Sequence, residues 1–142
     1  MPSIMIVDDD ELVAERVSNT LIEAGFPCGW LNCPREALRR LRVRRPDLLL
    51  LDHDMPGMTG REMLRQMRLC PRLWDLPVVM LTAISGEEDE TLARHAGAQG
   101  YVRKPFDPSY LVMQVRRALR KTTGGWDRPK LIESQTEPRR IC

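Results

Sequence analysis

Five short apolar runs recur along the chain and alternate with segments of helical periodicity. The three clearest runs are continuous rather than alternating, and they lie at 4–7, 48–51 and 78–81. Continuous apolar runs of this length are typical of strands covered on both faces, as in a parallel sheet. A weaker run lies around 28–31, and a short run at 100–102 indicates an edge strand.

The segments between these runs carry the period and the end signals of helices. Val13, Val17 and Leu21 recur at helical spacing, and Gly25 ends that first helix. The starts of the other four helices are indicated by a proline at 34, a glycine at 60, four acidic residues at 87–90 and an Asp-Pro pair at 107–108.

Five strand-helix units in succession predict an α/β fold with one doubly wound parallel sheet, (βα)5 and flavodoxin-like. Right-handed crossovers place helices on both faces, and the expected strand order is 2-1-3-4-5. Sheets of this kind bind ligands at the carboxyl ends of the strands, at the switch point beside strand 1. Any functional site is therefore expected at that edge.

The length of 142 residues suits one ordinary domain, which we place at residues 1–121. After residue 121 the apolar periodicity stops. Residues 122–142 contain two consecutive glycines, two prolines and few apolar residues. This composition favours a mostly disordered C-terminal tail.

The charge balance gives no general reason to expect nucleic acid or an anionic membrane as the main partner. Charged residues make up 30% of the chain, yet the formal net charge is only +2. The N-terminus turns acidic after four apolar residues, too few for a signal peptide or a membrane span. We therefore expect a cytoplasmic protein that does not bind membranes.

Polar residues follow four of the five predicted strands, at the point where each strand ends. Asp8 and Asp9 follow the first strand, Asp52 follows the third, Thr82 ends the fourth and Lys104 ends the fifth. Each residue taken singly has an ordinary role as a loop acid, a strand residue or a surface lysine. Because parallel strands end at one edge, together they predict a single polar site.

The crowding of acids at this edge points to a bound cation. Two carboxylates about 5 Å apart repel by roughly 3 kcal/mol at an effective dielectric constant of 20. Mg²⁺ prefers oxygen ligands and keeps some of its waters, so it fits such a site best. A metal beside a free carboxylate oxygen is suited to phosphoryl transfer, with Asp52 as nucleophile and with Thr82 and Lys104 binding phosphoryl oxygens.

Four stretches of the chain carry a family resemblance: IMIVDDD, PDLLLLDHDMPGMTG, PVVMLTA and GYVRKPF. With these in order, the chain resembles the receiver domains of two-component response regulators from residue 3 to about residue 121. The resemblance implies that Asp52 accepts a phosphoryl group from the phosphohistidine of a sensor histidine kinase or histidine phosphotransfer protein. It implies no enzyme activity beyond the protein's own phosphorylation and dephosphorylation.

The same resemblance assigns the metal ligands and two structural residues. Asp9 matches the direct ligand of Mg²⁺, Asp8 acts directly or through water, and Asp52 and the backbone carbonyl of Asp54 complete the site. Lys104-Pro105 matches a peptide bond that is usually cis in this family. Gly57 matches a turn residue that permits unusual backbone angles.

The resemblance also implies a switch. On phosphorylation Thr82 would move toward the phosphoryl group, and Tyr101 would turn inward to fill the space that Thr82 leaves. The responding face would consist of the fourth helix, the fifth strand and the fifth helix. That face would contact an unknown downstream protein or a second copy of the chain. From these features we expect a stand-alone response regulator in a phosphorelay.

One alternative is a phosphatase that resembles the haloacid dehalogenases. Asp52 and Asp54 after an apolar strand, with a later Thr and Lys, also match that pattern. Such enzymes need an acidic pair downstream of the lysine to hold the metal. Here only Asp107 and the acids of the tail follow Lys104, and the acidic pair stands at the beginning of the chain.

A second alternative is the receiver part of a DNA-binding transcriptional regulator. Residues 122–142 are too short and too polar to form a helix-turn-helix. Five arginines form a basic cluster near the end of the second helix, at 39, 40, 42, 44 and 45. A solvated helix face with cations near its C-terminus explains that cluster better than nucleic acid does.

Overall fold

Five strands alternate with five helices in the computed structural model, which describes residues 2–83 and 87–121. The strands are β1 (Ile4–Val7), β2 (Cys28–Leu31), β3 (Leu48–Asp52), β4 (Val78–Thr82) and β5 (Gly100–Arg103). The helices are α1 (Glu11–Glu23), α2 (Pro34–Val43), α3 (Gly60–Arg68), α4 (Glu87–His95) and α5 (Pro108–Lys121). None of the described helices has both the length and the apolar character needed to cross a membrane. The predicted tail, 122–142, lies outside the described residues.

The strands form one parallel sheet in the order β2-β1-β3-β4-β5, which confirms the predicted α/β fold. β1 lies between β2 and β3, so the switch point of the sheet is at its end. Val7 pairs in register with Leu51, so the next residues, Asp8 and Asp52, follow side by side. The register therefore brings the first and third predicted acidic positions together.

The apolar core consists of two layers, one on each face of the sheet. Residues of β3 alternate between them: Leu49 and Leu51 pack in one layer, and Leu48 and Leu50 pack in the other. The first layer receives the apolar sides of α2 and α3, and the second receives those of α1 and α5. Every residue of β3 and β4 is buried, which explains their continuous apolar sequences.

Polar side chains cap three helices that begin at the carboxyl edge of the sheet. The carboxylate of Asp10 accepts hydrogen bonds from the backbone N–H groups of Leu12 and Val13, and so caps α1. The side chain of Thr59 caps α3, and that of Asp107 caps α5. These caps fix the points at which the chain leaves the sheet edge that carries the predicted site.

Candidate functional site

Three acidic side chains converge at the carboxyl ends of β1 and β3. Asp8 is fully buried and Asp52 is 1% exposed, whereas Asp9 lies at the surface. One carboxylate oxygen from each of the three lies within 4.8 Å of the others. The structure thus groups the three side chains that the sequence predicts as metal ligands. Asp10, the next residue, is occupied as the cap of α1.

Lys104 extends from the end of β5 to two of these acids. Its ammonium nitrogen Nζ lies 3.0 Å from Oδ1 of Asp52 and 3.0 Å from Oδ2 of Asp8. The backbone N–H of Lys104 donates to the carbonyl of Thr82 at 2.8 Å, which keeps the ends of β4 and β5 aligned. The Lys104-Pro105 peptide bond is cis, as the family resemblance implied.

Burial and mutual contact shift the pKa values of Asp52 and Lys104. Desolvation raises the pKa of Asp52 to about 7, and the nearby charge of Asp8 acts in the same direction. The hydrogen bond from Lys104 opposes this rise. For Lys104 itself, burial alone would lower the pKa, but the contacts with Asp52 and Asp8 outweigh burial and raise it. Lys104 therefore stays charged, and Asp52 is the group of this pair that titrates near neutrality.

The donor set fits a hard divalent cation. Three carboxylates carry three negative charges and Lys104 carries one positive charge, so the fully ionised site has a net charge of −2. Oxygen ligands of this kind suit Mg²⁺, which binds through one or two carboxylates and retains several waters. The exposed carboxylate of Asp9 leaves one side of the group open for such waters.

The segment after β3 folds back beneath Asp52. The backbone N–H of Asp54 donates to Oδ1 of Asp52 at 3.3 Å. Gly57 has a φ of 85°, a left-handed conformation that favours glycine, as predicted. The N–H of Gly60 donates to the carbonyl of His53 at 2.9 Å, so the first turn of α3 lies directly against the end of β3.

Gly60 packs so closely under Asp52 that the position has no space for a side chain. A Cβ atom there would overlap the carbonyl oxygen of Asp52 and would lie 2.9 Å from the Cα atom of His53. Both neighbours are backbone atoms that cannot rotate away. The sequence showed Gly60 only as the start of a helix.

We expect Gly60→Ala to destabilise the fold by about 2 kcal/mol, because the added methyl group forces apart β3 and the start of α3. Chemical denaturation measures the effect. Gly29→Ala is the matched control, since a Cβ atom on Gly29 would meet Met5 at an ordinary distance of 3.6 Å. Equal stability losses in the two variants would contradict the close approach.

The two predicted switch residues lie on neighbouring strands. Thr82, the last residue of β4, is 1% exposed, and its register partner on β5 is Arg103. Tyr101 is 8% exposed and packs in the core layer on the side of α2 and α3. The side chain of Tyr101 is therefore largely buried in this structure, and the switch that involves it stays a prediction.

Among the described residues that follow Lys104, the phosphatase alternative has no acid left to hold a metal. Asp107 is the first acid after Lys104, and its carboxylate accepts the backbone N–H of Tyr110 at 3.0 Å as the cap of α5. The acids that surround Lys104 come instead from the beginning of the chain, at Asp8 and Asp9. This arrangement matches the receiver pattern.

The basic cluster near the end of α2 is largely exposed to solvent, and two of its arginines form ion pairs with acidic residues. Arg39 forms an ion pair with Glu36 at 2.7 Å, one turn away on the same helix. Arg45 forms an ion pair with Asp75 at 2.7 Å. Both pairs are substantially exposed, so they contribute little to stability.

Comparison with known proteins gives the same answer as the geometry. The response regulator receiver domain family matches residues 4–116. The phosphate regulon transcriptional regulatory protein PhoB of Pseudomonas aeruginosa is 35% identical over 123 residues, 87% of this chain and 54% of that protein. The DNA-binding response regulator MtrA of Mycolicibacterium smegmatis is 41% identical over 118 residues, 83% of this chain and 50% of that protein.

The chain thus spans about half the length of these two curated relatives. A solved structure of the chemotaxis protein CheY4 of Vibrio cholerae superimposes with a TM-score of 0.77 and 32% identity. That match covers 83% of this chain and 98% of the CheY4 chain. The sheet order, the acidic group with its lysine, and these similarities agree, and the chain belongs to the receiver domain family of response regulators.

Proposed function

We propose that Asp52 accepts a phosphoryl group from the phosphohistidine of a sensor histidine kinase or a histidine phosphotransfer protein. Mg²⁺ would be held by Asp8, Asp9, Asp52 and the backbone carbonyl of Asp54. One observation carries the proposal: one carboxylate oxygen from each of Asp8, Asp9 and Asp52 lies within 4.8 Å of the others, and Lys104 contacts two of these acids. The family match to residues 4–116 supports it.

The two oxygens of the Asp52 carboxylate have different surroundings. The hydrogen bonds that Asp52 accepts from Lys104 and from the backbone of Asp54 both go to Oδ1. Oδ2 is therefore the oxygen assigned to attack phosphorus, while the bond from phosphorus to the histidine nitrogen of the donor breaks. When bound, Mg²⁺ supplies positive charge for the transferred oxygens. Lys104 and the hydroxyl of Thr82 stabilise the same charge.

The face formed by α4, β5 and α5 would bind the downstream partner in response to phosphorylation. Large apolar side chains are exposed there: Leu92 on α4 is 39% exposed, and Tyr110 and Met113 on α5 are 44% and 45% exposed. In this proposal, movement of Thr82 toward the phosphoryl group stabilises the inward Tyr101, and the altered face binds a downstream protein or a second copy in the cytoplasm.

The test is phosphorylation by acetyl phosphate in the presence of Mg²⁺, followed by mass spectrometry of the intact protein. The wild type should gain the mass of one phosphoryl group, and Asp52→Asn should gain none. Asp54→Asn is the matched control, because it removes a nearby exposed carboxylate and leaves the acceptor in place. Chelation of the metal should abolish the gain. Equal phosphorylation of Asp52→Asn would refute the assignment.

The names of the relatives favour a second candidate for the output, a regulator whose phosphorylation controls DNA binding. The chain matches only about half of PhoB and MtrA, and the matched half here is the receiver. In this proposal the chain divides into a receiver at 1–121 and a tail at 122–142. A DNA mobility-shift assay of the phosphorylated and unphosphorylated protein distinguishes this output from protein contact alone.

A further inference from the structure

An edge-strand tryptophan contacts the backbone of the acidic loop. Trp30 lies on β2, is 37% exposed, and pairs in register with Ile6 of β1. Its indole nitrogen Nε1 donates a hydrogen bond to the backbone carbonyl of Asp8 at 2.8 Å. The indole of Trp30 therefore reaches past Ile6, the residue with which Trp30 pairs, to Asp8, the first residue after β1.

This contact completes a set of four that fix Asp8. Its backbone N–H donates to the carbonyl of Leu31 at 3.1 Å, and its carbonyl accepts from Trp30. In the side chain, Oδ1 accepts the N–H of Asp10 at 2.9 Å, and Oδ2 lies 3.0 Å from Nζ of Lys104. Both backbone contacts come from β2, so this edge strand determines how the chain leaves β1.

The carbonyl of Asp8 belongs to the same planar peptide unit as the nitrogen of Asp9. A hydrogen-bond donor that fixes this carbonyl therefore fixes the orientation of the peptide plane that leads into Asp9. Asp9 is exposed, and Asp10 is already committed as the cap of α1. The peptide plane held by Trp30 is thus a main constraint on where the Asp9 carboxylate lies relative to Asp8.

We infer that Trp30 is a positioning residue of the acidic site, which orients the Asp8-Asp9 peptide so that the carboxylates are preorganised for Mg²⁺. This inference rests on the proposed function, because it assumes that the acidic group binds the metal. Replacing Trp30 leaves the Asp8 carbonyl to water and lets the peptide plane rotate. Preorganisation is lost, and the metal must then order the loop as it binds.

The test compares Mg²⁺ affinities by calorimetric titration of the wild type and two variants of Trp30. Trp30→Phe removes the N–H and part of the ring. Replacement by β-(3-benzothienyl)alanine keeps the ring shape and removes only the N–H donor. Both variants should bind Mg²⁺ about threefold to tenfold more weakly, the equivalent of one net hydrogen bond. The second variant keeps the test valid if Trp30→Phe folds poorly.

Trp74→Phe is the matched control, because Trp74 lies between α3 and β4, away from the carboxyl edge of the sheet. It should leave Mg²⁺ affinity unchanged. If Trp30 were merely structural, its replacement would lower the unfolding temperature without changing the Mg²⁺ affinity of the folded protein. Affinities of the Trp30 variants within twofold of the wild type would overturn the inference while the proposed function stands. A wild type that does not bind Mg²⁺ would overturn both.

Discussion

Lys104→Met is expected to lower the free energy of unfolding by about 3 kcal/mol at about pH 8 without Mg²⁺. The ammonium group is the cation that contacts both Asp8 and Asp52, at 3.0 Å each. Both carboxylates are almost completely buried, so their charges lose a partner that water cannot replace. Methionine keeps an unbranched apolar side chain, which limits the change to the lost charge.

The effect of Lys104→Met should depend on pH. Near pH 5 Asp52 is protonated in the folded state, because its pKa is raised to about 7. The loss of the ammonium then no longer leaves an unpaired charge on Asp52, and the destabilisation should be smaller. Mg²⁺ should restore part of the stability at about pH 8, since it supplies positive charge to the same oxygens.

Chemical denaturation with two further variants isolates the cause. Arg103→Met changes the preceding, exposed residue of β5 and should alter stability by less than about 0.5 kcal/mol. The double variant of Lys104→Met with Asp52→Asn should be more stable than Lys104→Met alone, since it removes one of the two unpaired charges. A Lys104→Met loss that is the same at both pH values would show that the charge contact is not responsible.

The sequence predicts the sheet and most of the site because both depend on local signals. Continuous apolar runs identify strands buried on both faces, and the parallel arrangement sends the end of each strand to one edge. The residue that follows a strand is therefore placed without knowledge of any distant contact. Asp8, Asp52 and Lys104 were found in this way, and the structure brings their charged groups together.

The contacts that the sequence did not predict depend on where distant segments return in space. Gly60 presses against Asp52 because the loop after β3 folds back, and a glycine before a helix carries no sign of that path. Trp30 reaches Asp8 across 22 positions of the chain, from a strand whose apolar pattern is weak. Such contacts become visible only when strand register and side-chain direction are known.

Asp52→Asn is expected to stabilise the metal-free protein by an amount on the order of 4 kcal/mol at about pH 8, since each pKa unit corresponds to about 1.4 kcal/mol. Burial raises the pKa of Asp52 to about 7 in the folded state, and the unfolded value is about 3.9. The folded protein therefore binds more protons between these values. Stability falls as pH rises through that range.

The pH dependence of this gain provides the decisive comparison. Below about pH 4 both states of the wild type carry a protonated Asp52, and asparagine should give no electrostatic advantage. The advantage should grow from about pH 4 to pH 7 and stay constant above. Denaturation curves in the presence of a chelator measure it, with Asp54→Asn as an exposed control. A gain that does not change with pH, or a loss of stability at about pH 8, would show that the buried position of the Asp52 carboxylate does not destabilise its charged form. In that case the carboxylate would not need a metal ion to offset its charge.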